Sequence, residues 1–257
     1  MQPLTSVLMP AFVSEGTIRA SAESVLAQTE GRLELIVVDD ASPIPVSEVL
    51  AGVRDRRLRV LRHSRNRNTA AARNTALAAA RAPLVSQLDA DDLWEPDYLE
   101  TILPLFEDPE VGLAYSNAHI IGHPDGLDDY IGDPSVHPLD RFPKFADACP
   151  VPAPTATMRT ASVRAVGGYS RLLWTATDYH LYAKLVAAGW RFAYVHRQLA
   201  HYRWPAAASK SSARRRVELA ELQLWLGFAL RHPRIPGPKR QVRMRLRGEL
   251  GRLARRR

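Results

Sequence analysis

Asp89, Ala90, Asp91 and Asp92 directly follow an apolar run that ends at Leu88. Side chains alternate along an extended segment, so Asp89 and Asp91 fall on one side, where two carboxylates repel unless a cation sits between them. Mg2+ uses one or two carboxylates and completes its shell with phosphate oxygens, so this spacing fits a metal–diphosphate site. A solvated acidic turn capping the next helix is the alternative. A second pair, Asp39 and Asp40, ends another apolar run through Val37 and Val38. Adjacent acids there suit the hydrogen-bond donors of a base or a ribose; capping through Ser42 and Ser47 explains the turn but not both acids.

These acids can act together only if the elements before them end on one edge. Residues 6–9, 35–39, 58–61 and 83–88 read as strands, alternating with helices over 17–27, 47–53 and 69–80. Alternating strands and helices build a parallel sheet, and the fully apolar second strand suits burial on both faces. In a doubly wound sheet the parallel strands end together and ligands bind at that edge. Met9, Pro10 and Ala11, Asp39 and Asp40, and Asp89 to Asp92 are therefore expected to face one crevice. Pro96 opens a helix that runs to about Phe106, and 111–121 reads as a strand. Residues 122–154 carry seven prolines and read as a long functional or mobile loop. Beyond it come a strand at 155–158, a helix at 161–166 stopped by Gly167 and Gly168, a helix at 179–188, a strand at 192–195 and a long helix at 213–230.

The chain has 257 residues, 46% of them hydrophobic and 24% charged, the composition of an ordinary globular protein. Its formal charge of +8 has one source, because residues 239–257 hold nine Lys and Arg against Glu249, leaving 26 basic and 26 acidic groups in residues 1–238. A uniformly cationic protein is thereby excluded. If 241–254 is helical, Val242, Leu246, Leu250 and Leu253 form one apolar stripe among arginines. Such a helix either rests on an anionic membrane surface or packs its stripe on its own domain. Without interleaved aromatics it is a poor nucleic-acid binder, and no nucleic-acid partner is expected. Cys149 is alone, so no disulfide framework exists. No signal peptide or membrane span is read. The expected setting is the cytoplasm, with the basic tail available to hold the protein at the inner face of the cell membrane.

The ordered motifs resemble those of family-2 glycosyltransferases with the GT-A fold, over about residues 4–203. The series is Ser6-Val7-Leu8-Met9-Pro10-Ala11-Phe12, Ser24 to Thr29, Glu34 to Ser42, Asn66, Ala72-Arg73-Asn74, Leu88 to Asp92 and Pro96, then Gly167-Gly168-Tyr169, Thr177-Asp178, Gly189 and Tyr202-Arg203. The resemblance implies an α/β fold, a Rossmann-like, mostly parallel sheet flanked by helices with a C-terminal helical extension. Residues 1–110 would form the nucleotide-sugar half, 111–210 the acceptor half and 211–257 the extension. Pro10, Ala11, Phe12, Glu15, Asp40, Arg73, Asp89 and Ala90 would bind the donor, with Asp40 on the base and Arg73 near the phosphates. Asp91, with Asp89, would hold Mg2+ or Mn2+. Asp178 matches the second acid of the family's Glu-Asp pair, the general base, while Thr177 replaces the first. Trp174, Thr177 and Arg203 would meet the acceptor, a glycan or a lipid-linked sugar.

Asn68 and Val13 also depart from the family pattern, at positions where a glycine and an asparagine are usual. His119 and His123 read as ordinary structural or surface residues. The implied activity is inverting transfer from a nucleoside-diphosphate sugar, most commonly of uridine, to a hydroxyl in the making of a surface glycan. Two rivals are a catalytically silent nucleotide-sugar binder and a signalling receiver domain. The receiver fits poorly because a full strand and helix precede Asp39.

Overall fold

The computed structural model describes residues 2–131, 151–173, 175–204, 222–223, 225–230, 239 and 241–243. Eight strands form one sheet: β1 (Thr5–Ala11), β2 (Leu33–Asp39), β3 (Leu58–Arg62), β4 (Leu84–Gln87), β5 (Leu93–Trp94), β6 (Val111–Ile121), β7 (Thr157–Arg159) and β8 (Arg191–Arg203). Their order is β3-β2-β1-β4-β7-β6-β8-β5. The first four listed are parallel, β7 runs against both β4 and β6, β8 is parallel to β6, and β5 closes the far edge antiparallel to β8. Strand order reverses between β1 and β4, the position at which an open sheet presents a crevice.

Alternation explains the layers. Val7, Met9 and Ala11 of β1, with Leu35 and Val37 of β2, point into one core, while Leu8, Ile36 and Val38 point into the other. Helix α1 (Ile18–Leu26) buries Ile18, Ala22 and Val25 against the first core. Helix α3 (Thr69–Ala79) covers the opposite face with Ala70, Ala72, Ala76 and Leu77, its small side chains letting it lie close over β1. The remaining helices are α2 (Val46–Val49), α4 (Tyr98–Ile102), α5 (Thr160–Ala165) and α6 (Thr177–Ala187).

Three departures from the sequence reading have local causes. The helix expected to reach Phe106 is α4 for one turn and then tightens into a 3-10 segment, Leu103–Glu107, with Pro104 near its start. The strand expected at 192–195 runs on to Arg203; its polar stretch His196, Arg197 and Gln198 hides a register shift against β6, so the apolar pattern breaks where the pairing does not. Tyr202 and Arg203 are thus inside the strand rather than after it. Finally, Thr5, Ser86, Thr157 and Tyr98 join hydroxyl to hydroxyl across β1, β4 and β7 at 2.9, 2.7 and 2.9 Å, a buried chain with no periodic signature.

Of the C-terminal region, residues 225–230 are helical and bury Trp225 and Phe228 in the α3-side core. Within the basic tail, Gln241 is buried and Val242 packs against that same core. The first position of the predicted stripe therefore touches its own domain. Leu246, Leu250, Leu253 and most of the arginines lie outside the described residues, as does Trp174. Among the described residues no helix is long and apolar enough to cross a membrane.

Gly168 fixes α3 to the loop after α5. Its φ is +61°, and a Cβ there would stand 2.5 Å from Asn74 Oδ1. That oxygen accepts from Tyr169 N at 2.9 Å while Asn74 Nδ2 donates to Tyr169 O at 2.7 Å. Gly168→Ala adds left-handed strain and displaces Asn74, a cost of about 2 kcal/mol or more. We expect melting to fall by roughly 4–8 °C, measured by circular dichroism, whereas the exposed Gly16→Ala, with open space around its Cα, should change it little.

Candidate functional site

Where β1, β2 and β4 end, a cavity of about 440 Å3 opens. Its lining comes from the end of β1 (Pro10, Ala11) and the segment after it (Phe12, Val13, Ser14), from Asp40, from the start of α3 (Asn68, Thr69, Ala72) and from Asp89, Ala90 and Asp91. The three sequence signals do converge. Glu15 is half-buried beside this wall, between the lining residues Ser14 and Thr17. Ser14, Thr17 and Thr69 line the cavity too, and the signal for them in the sequence is slight: short polar residues just past a strand end or at a helix start.

The two adjacent acids divide their work. Asp39 caps the following turn, accepting from Ser42 N at 2.8 Å and Val46 N at 3.1 Å and pairing with Arg62. Burial opposes its charge, but these hydrogen bonds and Arg62 hold its carboxyl below the usual range. Capping therefore accounts for Asp39, through Ser42 and Val46 rather than Ser47. Asp40 faces the cavity instead. Its Oδ1 meets His63 Nδ1 at 2.6 Å, both oxygens accept from Arg67 N at 3.0 Å, and His63 Nε2 lies 2.8 Å from Thr75 Oγ1. The carboxylate is thus held in place at the cavity border by contacts to both of its oxygens.

Asp89 to Asp92 form a turn, closed by Asp92 N donating to Asp89 O at 3.2 Å, rather than the extended segment that alternation assumed. The turn still sets Asp89 and Asp91 in the cavity wall. Asp91 reaches solvent through the mouth yet has protein on most sides. That desolvation, and then the charge of Asp89, raises its carboxyl above the usual range. Asp92 points the other way and is buried, accepting from Arg203 N at 2.8 Å. Burial, followed by repulsion from Asp89, pushes it up to about 8. Arg203 Nε also donates to Asp91 O at 3.1 Å, so this residue braces the acidic turn.

Arg73 lies behind the wall, 3% exposed. Nη2 donates to Asp89 Oδ1 at 2.6 Å, Nη1 reaches Thr177 Oγ1 at 3.5 Å, and the guanidinium stands 5.5 Å from the Tyr169 ring centroid. Burial disfavours its charge, but Asp89, Tyr169 and Asp178 hold its pKa above the ordinary arginine value. The cavity wall itself is formed by Ala72, one residue earlier on α3. Asp178 is half-buried in the first turn of α6, its Oδ1 accepting from Tyr179 N at 2.8 Å. One arginine thus ties the acidic turn to the start of α6.

Backbone strain gathers around the same place. The four described non-glycine residues with left-handed φ are Val13 (52°), Ala41 (65°), Asn68 (73°) and Ala176 (54°). They directly follow the Phe12 and Asp40 positions, cap α3, and precede Thr177. Asn68 keeps this conformation at lowest cost and caps the helix, its Oδ1 accepting from Ala71 N at 3.0 Å. Elsewhere, His119 pairs with Asp128 at 3.1 Å and stacks on His201. Among the described residues no three His, Cys, Asp or Glu side chains form a metal-binding group.

A family model described as "Glycosyl transferase family 2" matches residues 6–165, a stretch that contains every lining residue of the cavity. Among curated relatives, a UDP-Glc:alpha-D-GlcNAc-diphosphoundecaprenol beta-1,3-glucosyltransferase of Escherichia coli is 35% identical over 120 residues, 47% of this chain and 47% of that protein. A pre-mycofactocin glycosyltransferase of Mycobacterium tuberculosis is 33% identical over 170 residues, 63% of this chain and 36% of the relative. The matches span about half the length of such relatives, or less. Among solved structures, S. aureus TarS 1-349 superposes with a TM-score of 0.71 at 17% identity, covering 89% of this chain and 66% of that one. A mannosyltransferase of Pyrobaculum calidifontis, solved with GDP-Man and Mn2+, gives 0.70 at 22% identity, covering 95% and 69%. These likenesses establish the fold as that of the GT-A glycosyltransferases. With the family model spanning well over half of its residues, the chain belongs to glycosyl transferase family 2.

Proposed function

We propose that this chain transfers a sugar, with inversion, from a UDP-sugar to a hydroxyl of a glycan or lipid-linked acceptor. The observation that carries the reading is the single cavity in which Asp40, Asp89, Asp91 and the N-terminus of α3 meet at the strand-order reversal. Asp40, pinned by His63 and Arg67 N at the cavity border, is the acceptor placed to meet an N–H of the base. The first N–H groups of α3 and its positive dipole end suit the diphosphate. UDP is favoured because the E. coli relative is named for UDP-Glc and TarS has been solved with UDP-GlcNAc. The assignment of 1–110 to donor and 111–210 to acceptor belongs to the same reading.

The donor set fits Mg2+ or Mn2+. Asp91 presents a hard oxygen ligand to the cavity, and its repulsion by Asp89 is the kind a cation relieves. Asp40 is engaged by His63 and Arg67 N, which leaves Asp89 and Asp91 as the carboxylates placed to meet a cation, with phosphate oxygens completing its shell. A bound divalent ion supplies charge neutralisation for the departing diphosphate. Arg73 holds Asp89 in place and, through Thr177, positions the start of α6.

Asp178 serves as the base. The acceptor O–H gives its proton to an Asp178 carboxylate oxygen while the acceptor oxygen bonds to the anomeric carbon. The bond from that carbon to the diphosphate breaks on the opposite face, and the electron pair leaves with the diphosphate. Attack opposite the leaving group needs only one base. The diphosphoundecaprenol in the E. coli relative's name supports a lipid-linked acceptor, which would bring a cytoplasmic enzyme to the inner membrane face.

Asp178→Asn should lower turnover at least about 100-fold while leaving the UDP-induced melting shift intact; full turnover in the variant would overturn Asp178 as the base, whereas a wild-type protein that binds UDP but transfers no sugar would be the silent binder. In a melting screen, UDP with Mn2+ should stabilise the wild-type protein by mass action, and Asp91→Asn should lose the Mn2+-dependent part. A larger shift with GDP than with UDP would reassign the base. Asp92 gives a pH signature in metal-free buffer. As an acid with a raised folded pKa, it keeps a proton that the unfolded chain releases near pH 4, so it subtracts stability progressively between about pH 4 and about 8. The melting gain from Asp92→Asn should therefore grow over that interval; an equal gain at both ends would contradict the assignment.

A further inference from the structure

The edge of the sheet where β1 and β2 begin lies a strand's length from the donor cavity. There a second concavity, of about 300 Å3, is lined by Arg32, Arg56, Arg57, Arg59 and Arg81, with Glu34 the single acid in its wall. Glu34 is already committed. Its Oε1 accepts from Ser6 Oγ at 2.7 Å and Arg81 N at 2.8 Å, and its Oε2 from Arg59 Nη1 at 2.8 Å. Three guanidiniums are braced from behind. Arg32 rests on Glu30 at 2.7 Å, Arg57 on Asp55 at 2.7 Å and on Leu26 O at 2.6 Å, and Arg59 on Glu34 and on Ala79 O at 3.1 Å.

Arg56 and Arg81 differ. Both are exposed, and neither side chain makes a hydrogen bond or ion pair among the described residues. Five arginines therefore face three local carboxylates, with two forks free. Arg81 also borders an adjoining hollow with Arg159 and Arg164. Backbone carbonyls rather than carboxylates hold those two, Val111 O at 2.8 Å for Arg159 and Leu77 O and Ala80 O at 3.0 Å for Arg164. The zero net charge of residues 1–238 hides this concentration.

We propose that the arginine cavity is an anion site, separate from the donor cavity, that takes a phosphate or diphosphate group. Guanidinium forks match phosphate oxygens in pairs. The braced arginines supply a preset floor whose ordering cost is already met by folding, and Arg56 and Arg81 are free to close over the ligand. Gathering so many like charges in one concavity is unfavourable, and a multivalent anion removes that cost. The group would come either from a soluble phosphate ester or from the head groups of an anionic lipid surface.

The test uses the full chain in metal-free buffer at low ionic strength, where such contacts are least screened. Inorganic pyrophosphate is titrated calorimetrically, and phosphatidylglycerol vesicles are compared with phosphatidylcholine vesicles by co-sedimentation. Arg56→Gln/Arg81→Gln, at two exposed side chains without partners, should weaken pyrophosphate or phosphatidylglycerol binding at least tenfold, with unchanged circular dichroism. Asp91→Asn, in the donor cavity, should not. Loss confined to pyrophosphate identifies a soluble ligand, and loss that includes the vesicles identifies the lipid surface. Should the double variant bind both probes as tightly as wild type, or should wild type bind neither, the proposal is overturned. None of these readouts depends on glycosyl transfer.

Discussion

The site hangs on the balance of one buried guanidinium. Arg73 is almost wholly removed from water, a costly place for a charge without partners, and it is tolerated because Asp89 meets it at 2.6 Å and the Tyr169 ring lies beside it. Tyr169 is itself secured at three points: both backbone polar groups are bound by Asn74, and its hydroxyl donates to Gln87 Oε1 at 2.8 Å. Gln87 in turn ends β4, two residues before the turn that carries the acids. Removing the guanidinium would leave Asp89 facing Asp91 and Asp92 without the ion-pair partner that holds it, with Arg203 at the other side of the turn as the remaining positive charge. The acidic turn, α3, the Gly168 loop and the start of α6 therefore form one electrostatic and hydrogen-bonded unit.

The unit explains why motifs far apart in sequence belong together. Ala72-Arg73-Asn74 contributes a wall residue, the bridging charge and the clamp on Tyr169. Gly167-Gly168-Tyr169 supplies the close approach and the ring. Thr177 receives the last contact from Arg73 and places Asp178 in the first turn of its helix. The strained backbone at Val13, Ala41, Asn68 and Ala176 belongs to the same economy. Sharp exits from β1 and β2 and sharp entries to α3 and α6 are what bring short side chains to the rim, and such strain persists where the surroundings over-determine it.

Much of this was legible from the chain alone, because the parallel half of the fold is written in local patterns. Apolar runs, alanine-rich helices and acids at strand ends sufficed to predict the edge at which the cavity lies. What could not be read was anything that depended on distant partners. Asp39 and Asp40 look equivalent in sequence, yet one caps a turn and the other faces the cavity, a division set by Arg62, His63 and Arg67. Arg73, expected near the phosphates, stands behind the wall because its partner Asp89 lies in the turn after β4. The polar middle of β8 broke the apolar rhythm that would have revealed it. The arginine cavity was invisible for the same reason, its residues being spread from Arg32 to Arg81.

The antiparallel insertion of β7 has a consequence for how the molecule is made. β4 pairs with β1 on one side, but its other neighbour is β7, which is translated about 70 residues later; at ordinary elongation rates that is on the order of ten seconds. During that interval the nascent β1–β4 sheet carries an open, apolar edge, the kind of surface that invites pairing with another chain. The seam through the middle of the finished sheet, bridged by the Thr5–Ser86–Thr157 hydroxyl chain, is thus sealed only once β7 has emerged, and the joints that β8 makes with β6 and β5 follow later still.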